Sequence, residues 1–277
     1  MNTEKLIDSI INLALTEDGP DITSEAIFAA DTYINGVIRA KESGVLAGCG
    51  IARMVFQKTS NEIQVDFYHV DGYRVQPGDT VAEIRGSASE VLKAERVALN
   101  FMQRMSGIAT ATARYVAEVN DTSARIIDTR KTVPGHRILD KLAVRIGGGY
   151  NHRMGLYDMA LIKDNHIDVA GSIRKAVEKV RQAHPDLPIE VEARTLIDVE
   201  ELLGLKVDRI MLDNFEINEI EKAVLIVGGK VPLEASGGIT LETVREVALA
   251  GVDYISVGEI THSVKGLDIS MTVEENA

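Results

Sequence analysis

Five short β-rich pieces of this chain end in charged residues: Asp128-Thr-Arg130-Lys131, Lys163-Asp164-Asn165-His166, Glu192, Asp213 and Glu234. A lone charge at a strand end is usually a solvated loop residue, but a set of them recurring at successive ends points to a site. From Arg125 to His166 the chain carries eight Lys or Arg against four Asp, a local balance of +4 in a protein of net charge −12. A cationic island in an acidic protein is what a small, highly anionic substrate requires, although a solvated basic face would give the same count. The acidic whole argues against nucleic acid or an anionic membrane as the main partner. Neither a P-loop nor a His-Glu-x-x-His pattern occurs, so nucleoside triphosphate and zinc-hydrolase chemistry find no support.

The elements that must position these residues are legible in outline. Strands are expected at Arg125–Asp128, Met159–Lys163, Ile189–Glu192, Arg209–Leu212, Val231–Glu234 and Tyr254–Val257. Helices are expected between them at Ser172–Ala183, Asn218–Val227 and Leu241–Ala250. The last four strands recur every 20-odd residues, the rhythm of β/α units in a parallel sheet. Closed into a barrel, such units bring their carboxyl ends to one face. The first hundred residues lack that rhythm. Gly36–Lys41 and Ile63–Val70 read as strands flanking a helix at Ala52–Thr59. A long helical pattern from Ala88 to Val119 is expected to break at Ser106-Gly107.

Asp71-Gly72 and Pro77-Gly78 bracket extended pieces that resemble carrier-domain hairpins. No lysine lies between Lys58 and Lys93 to be modified, so a plain hairpin is the better reading. The chain of 277 residues, 45% hydrophobic and 26% charged, has the balance of a soluble globular protein. Met1–Leu15 reads as an amphipathic helix without the apolar centre of a signal peptide. No apolar run approaches the ~20 residues of a membrane span. The single cysteine, Cys49, suits a reducing cytoplasm, where the protein is expected.

Eight motifs carry a resemblance. Asp128-Thr-Arg-Lys-Thr-Val-Pro-Gly135, Gly147-Gly-Gly-Tyr-Asn-His-Arg-Met-Gly-Leu-Tyr-Asp158 and Leu161-Ile-Lys-Asp-Asn-His166 resemble the quinolinate phosphoribosyltransferase family. So do Glu95-Arg-Val-Ala-Leu-Asn100, Ser106-Gly-Ile-Ala109, Glu190-Val-Glu192, Met211-Leu-Asp-Asn214 and Glu234-Ala-Ser-Gly-Gly-Ile239. The Glu17–Thr23 stretch looks shorter than the family's usual loop. The resemblance implies an α/β chain: an N-terminal α/β sandwich (1–107, joined by the tail 265–277) and an incomplete, TIM-like α/β barrel (108–264). It also implies quinolinate and phosphoribosyl pyrophosphate as substrates, with magnesium. The products are nicotinate mononucleotide, pyrophosphate and carbon dioxide, on the way to NAD.

By the same resemblance, Arg130, His152, Arg153 and Lys163 receive the two carboxylates of quinolinate, with Arg96 reaching in from a neighbouring subunit. That implies a homodimer or a higher homo-oligomer such as a hexamer, with shared active sites. Glu192 and Asp213 are assigned to metal and ribose contacts, and with Lys163 they form the catalytic set. Lys131 is assigned to a phosphate, and the backbones of Ser236-Gly237-Gly238 and Gly258 can cradle another. A fold-sharing paralogue associated with molybdenum transport is disfavoured by the intact Arg130-Lys131 and Asn151-His152-Arg153 sets. A barrel isomerase acting on a phosphosugar would have no use for the carboxylate-binding cluster. A non-enzymatic scaffold would not depend on Lys163 or Arg130.

Overall fold

The computed structural model describes residues 3–274, and their contacts divide into two units. The first comprises residues up to 113, then 133–148 and those from 263; the second comprises 114–132 and 149–262.

The first unit begins with α1 (Thr3–Asp18), which buries Ile10 and Ile11; Met1, where that helix was expected to start, lies outside the described residues. Next comes α2 (Ile22–Ile27), whose cap Asp21 accepts the Ser24 N–H at 3.0 Å. Then follow β1 (Tyr33–Ala40), β2 (Gly44–Val45), α3 (Cys49–Thr59), β3 (Gln64–Phe67), β4 (Arg74–Val75), β5 (Thr80–Ser87) and the long α4 (Ala88–Glu118). The final described strand, β12 (Ile269–Glu274), pairs antiparallel with β1 and completes a sheet of order β12-β1-β5-β3. Of the tail 265–277, residues 275–277 lie outside the described residues.

The expected break at Ser106-Gly107 does not occur, and α4 is continuous. Ser106 Oγ accepts the Ala47 N–H at 2.9 Å, and a Cβ on Gly107 would overlap the Lys265 carbonyl oxygen. Glycine in a helix interior costs about 0.5–1 kcal/mol relative to alanine. Here it permits a close backbone approach that any side chain would block.

In the second unit β6 (Arg125–Ile127) comes first. The helix after it, α5 (Arg137–Ile146), groups with the first unit, although the sequence-based boundaries assign it to the second domain. The chain continues through β7 (Ala160–Ile162), α6 (Asp164–Ala170), α7 (Ile173–Ala183), β8 (Ile189–Ala193) and α8 (Leu196–Gly204). It ends with β9 (Arg209–Asp213), α9 (Ile217–Val227), β10 (Leu233–Ser236), α10 (Val244–Leu249), β11 (Tyr254–Ser256) and α11 (Glu259–His262).

Six parallel strands form one sheet in the order β6-β11-β10-β9-β8-β7. Among the described residues no ladder joins β6 to β7, so the barrel is incomplete. Every residue of β8 is buried, as expected for a parallel strand covered on both faces. Two of the helices start on side-chain caps: Ser172 accepts the Lys175 N–H before α7, and Thr195 with Asp198 forms a capping box before α8. β10 lies two residues beyond its expected bounds, beginning just after Pro232, which has no N–H to give a ladder.

Candidate active site

Alternation along the parallel strands sorts their polar residues onto one face, in two layers. The register pairs Glu190 with Arg209, Glu192 with Met211, Ser236 with Asp213 and Glu234 with Tyr254. Toward the carboxyl ends, Glu192, Asp213, Ser236 and Ser256 open into a cavity of about 390 Å³. Below them Glu190, Arg209, Glu234 and Tyr254 pack against one another, and of these Glu234 reaches the cavity. Arg209 Nη1 donates to Glu234 Oε2 at 2.9 Å, and its guanidinium lies 4.1 Å from the centre of the Tyr254 ring.

His152 sits on this lower layer and lines the cavity floor. Its Nε2 is 2.9 Å from Glu190 Oε2 and 3.4 Å from Glu234 Oε2. Asp128, fully buried at the end of β6, accepts the His152 backbone N–H at 2.8 Å and fixes that loop. Burial alone would lower the imidazole pKa; the two carboxylates overcome it and push it up to about 9. Burial raises the Glu190 carboxyl above the usual range, with His152 opposing and Glu234 adding to the rise. Burial would also raise Glu234, but His152 and Arg209 hold it low. With the imidazole and the guanidinium charged, two carboxylates are balanced by two cations, as buried charges require.

Arg130, Lys131, Arg153 and Lys163 line the cavity above. Arg153 donates from Nη1 to the Met159 carbonyl at 3.0 Å. Burial and the neighbouring Arg130 charge both lower its pKa, against the opposing pull of Glu190, Asp158 and Glu192. Lys163 caps α6, its backbone N–H donating to His166 Nδ1, while its ammonium donates to Glu192 Oε1 at 2.7 Å. Thr261 Oγ1 donates to the Lys131 carbonyl at 2.8 Å and ties that loop down. The Lys131 chain crosses Gly258, where a Cβ would meet its Cδ at 3.0 Å. Gly237 and Gly238 also line the cavity, with φ of +100° and +61°, conformations open to glycine.

Two groups of acids could hold a cation. His152, Glu190 and Glu234 present potential ligand atoms within 4.8 Å of one another, but Arg209 already supplies a cation there. Glu192 and Asp213 face the cavity with oxygen donors suited to a hard ion.

Of the residues singled out from sequence, eleven line this one cavity: Arg130, Lys131, His152, Arg153, Lys163, Glu192, Asp213, Glu234, Ser236, Gly237 and Gly238. Gly258 and Arg96 are not part of its lining. Arg96 lies on α4 in the first unit with its side chain 61% exposed. Glu234, read as a strand-end residue, is instead in mid-strand and fully buried. Sequence reasoning missed the supporting roles of Glu190 and Arg209. Their signal was a second charge on the same strand face, two residues before Glu192 and four before Asp213, in strands otherwise apolar.

The family described as quinolinate phosphoribosyl transferase, C-terminal domain, matches residues 108–272, and the corresponding N-terminal domain matches 21–106. A Mycobacterium leprae protein named nicotinate-nucleotide pyrophosphorylase [carboxylating] is 44% identical over 272 residues, covering 94% of this chain and 95% of its own length. An Arabidopsis thaliana chloroplastic protein of the same name is 42% identical, over 97% of this chain and 83% of its own. The crystal structure of NadC from Streptococcus pyogenes is similar with a TM-score of 0.94 at 40% identity, covering 99% of each chain.

Proposed function

The chain belongs to the quinolinate phosphoribosyltransferase family, and on that premise we propose that it transfers phosphoribosyl from phosphoribosyl pyrophosphate to quinolinate with decarboxylation. The reaction yields nicotinate mononucleotide, pyrophosphate and carbon dioxide for NAD synthesis. The observation that carries this reading is the convergence of Arg130, Lys131, Arg153 and Lys163 with the Glu192 and Asp213 carboxylates on one cavity.

Quinolinate presents two adjacent carboxylates. Arg130, Arg153 and Lys163 receive them above the His152 imidazolium, the arginines through planar forks and the lysine as a point charge. Lys131 and the Ser236–Gly238 backbone face the donor's phosphates. Glu192 and Asp213 would hold magnesium, which supplies charge neutralisation for the departing pyrophosphate. As the bond from the ribose anomeric carbon to pyrophosphate oxygen breaks, its electrons leave with pyrophosphate, and these carboxylates stabilise the positive sugar. The pyridine nitrogen forms the new bond to that carbon. Its positive charge then accepts the electrons left when the 2-carboxylate departs as carbon dioxide, and a proton replaces it. Positioning and charge do the work, and no nucleophilic side chain is required.

Arg96, exposed on its own chain, is assigned to a neighbouring subunit's site, which makes the working unit at least a homodimer. A cytoplasmic location agrees with the single buried Cys49. No helix of the described residues is long and apolar enough to cross a membrane. Incubation with phosphoribosyl pyrophosphate, magnesium and a panel of pyridine carboxylates, following nicotinate mononucleotide and carbon dioxide, tests the reaction. Both products should form from quinolinate; their absence overturns the assignment.

A further inference from the structure

At Asn214 the chain leaves β9 with φ +55°; Lys206 is the only other non-glycine residue with positive φ among those described. That conformation is unfavourable for most side chains, and asparagine is one of the few that tolerates it. Three contacts accompany it. The Asn214 backbone N–H donates to the Ser236 carbonyl at 2.9 Å, and its Nδ2 donates to Asp213 Oδ2 at 3.1 Å. On the next loop, a Cβ on Gly237 would overlap Asn214 Oδ1 and lie 2.6 Å from its Cγ. The loops after β9 and β10 therefore interlock, with the amide of one filling the space left by the missing side chain of the other. Asp213, Asn214 and Gly237 all line the cavity.

We propose that Asn214 is a positioning residue for the donor subsite, its amide fixing the Asp213 carboxylate, and that Gly237 is glycine in order to admit that amide. This rests on the reading of Asp213 as a magnesium and ribose ligand. A residue serving only the turn would behave otherwise, because glycine satisfies positive φ better than asparagine. Asn214→Gly then separates the two roles: it keeps the turn and removes the amide.

The test measures binding by calorimetry, without turnover, for quinolinate alone and for phosphoribosyl pyrophosphate with magnesium. Asn214→Gly should retain the wild-type melting temperature and quinolinate affinity while weakening donor binding by ~10-fold or more, as loss of a ligand's orienting partner does. Gly237→Ala should lower the melting temperature, and the Gly237→Ala/Asn214→Gly double variant should recover part of it, because the overlap is gone. Wild-type donor binding in Asn214→Gly, or equal weakening toward both ligands, overturns the positioning role. A double variant no more stable than Gly237→Ala overturns the interlock. Asp213→Asn serves as the control: if it leaves donor binding intact, the reading of Asp213 itself falls.

Discussion

Lys163 Nζ donates to Glu192 Oε1 at 2.7 Å, so the cation assigned to the acceptor and the carboxylate assigned to the donor are bonded directly to each other. The lysine side chain is 48% exposed and the glutamate only 8%. An ion pair with one such exposed member contributes on the order of 0–1 kcal/mol to stability. Lys163→Ala is therefore expected to lose at least ~100-fold in kcat/KM while denaturant unfolding shifts by no more than about 1 kcal/mol. Steady-state kinetics and urea titration check this together. A variant that unfolds, or that keeps full activity, reduces Lys163 to an ordinary ion-pair member.

Acceptor choice follows from the cluster of Arg130, Arg153 and Lys163. Nicotinate lacks the 2-carboxylate and would forgo the charged hydrogen bonds these cations give it, at a cost of ~1.5–3 kcal/mol each. Arg130→Ala should raise the KM for quinolinate with little change in melting temperature, since Arg130 sits in a loop past a strand end. Comparing kcat/KM for the two pyridines decides the matter. Equal turnover of nicotinate would rule out the dianion pocket.

The buried His152 makes stability depend on alkaline pH. Its folded pKa, about 9, lies above the ordinary imidazole value of 6.5. Between those values the folded protein holds a proton that the unfolded chain has released. The stabilisation is fully present below about pH 6.5 and is lost as pH rises through the folded value, by up to ~1.4 kcal/mol per pH unit. Chemical denaturation at intervals from pH 6 to 9.5 should show this fall, and His152→Asn should flatten it. An unchanged slope in the variant would assign the alkaline loss to other groups.

Co-expression tests the shared site. Arg96→Ala and Lys163→Ala should each be inactive alone. If each site takes Lys163 from one chain and Arg96 from its neighbour, random mixing restores roughly a quarter of wild-type activity. If Arg96 serves its own chain, every mixed site carries a lesion and nothing returns. Proven hetero-oligomers without activity would overturn the exchange.

The sequence by itself determined the chemistry and most of the scaffold. The β/α rhythm after Arg125 is a local pattern, and it located the six parallel strands to within two residues at most ends. Motif order named eleven cavity residues, because a site built at strand carboxyl ends takes its members from the residues at and after the ends of apolar runs. Side-chain identity at those positions is enough to say what charge they bring.

Only the tertiary structure decided what those charges meet. Ser106-Gly107 reads locally as a helix breaker, yet the Ala47 backbone and the Lys265 carbonyl, both remote in sequence, make it a close-packing point. Glu234 read as a strand-end acid; a two-residue shift of β10 put it in mid-strand against Arg209 and His152. The same holds for Asn214 and Gly237, on neighbouring loops 23 residues apart, whose spacing conveys nothing until the strands align. Charge pairing and steric exclusion act through space over a few ångströms, and sequence separation does not encode that distance.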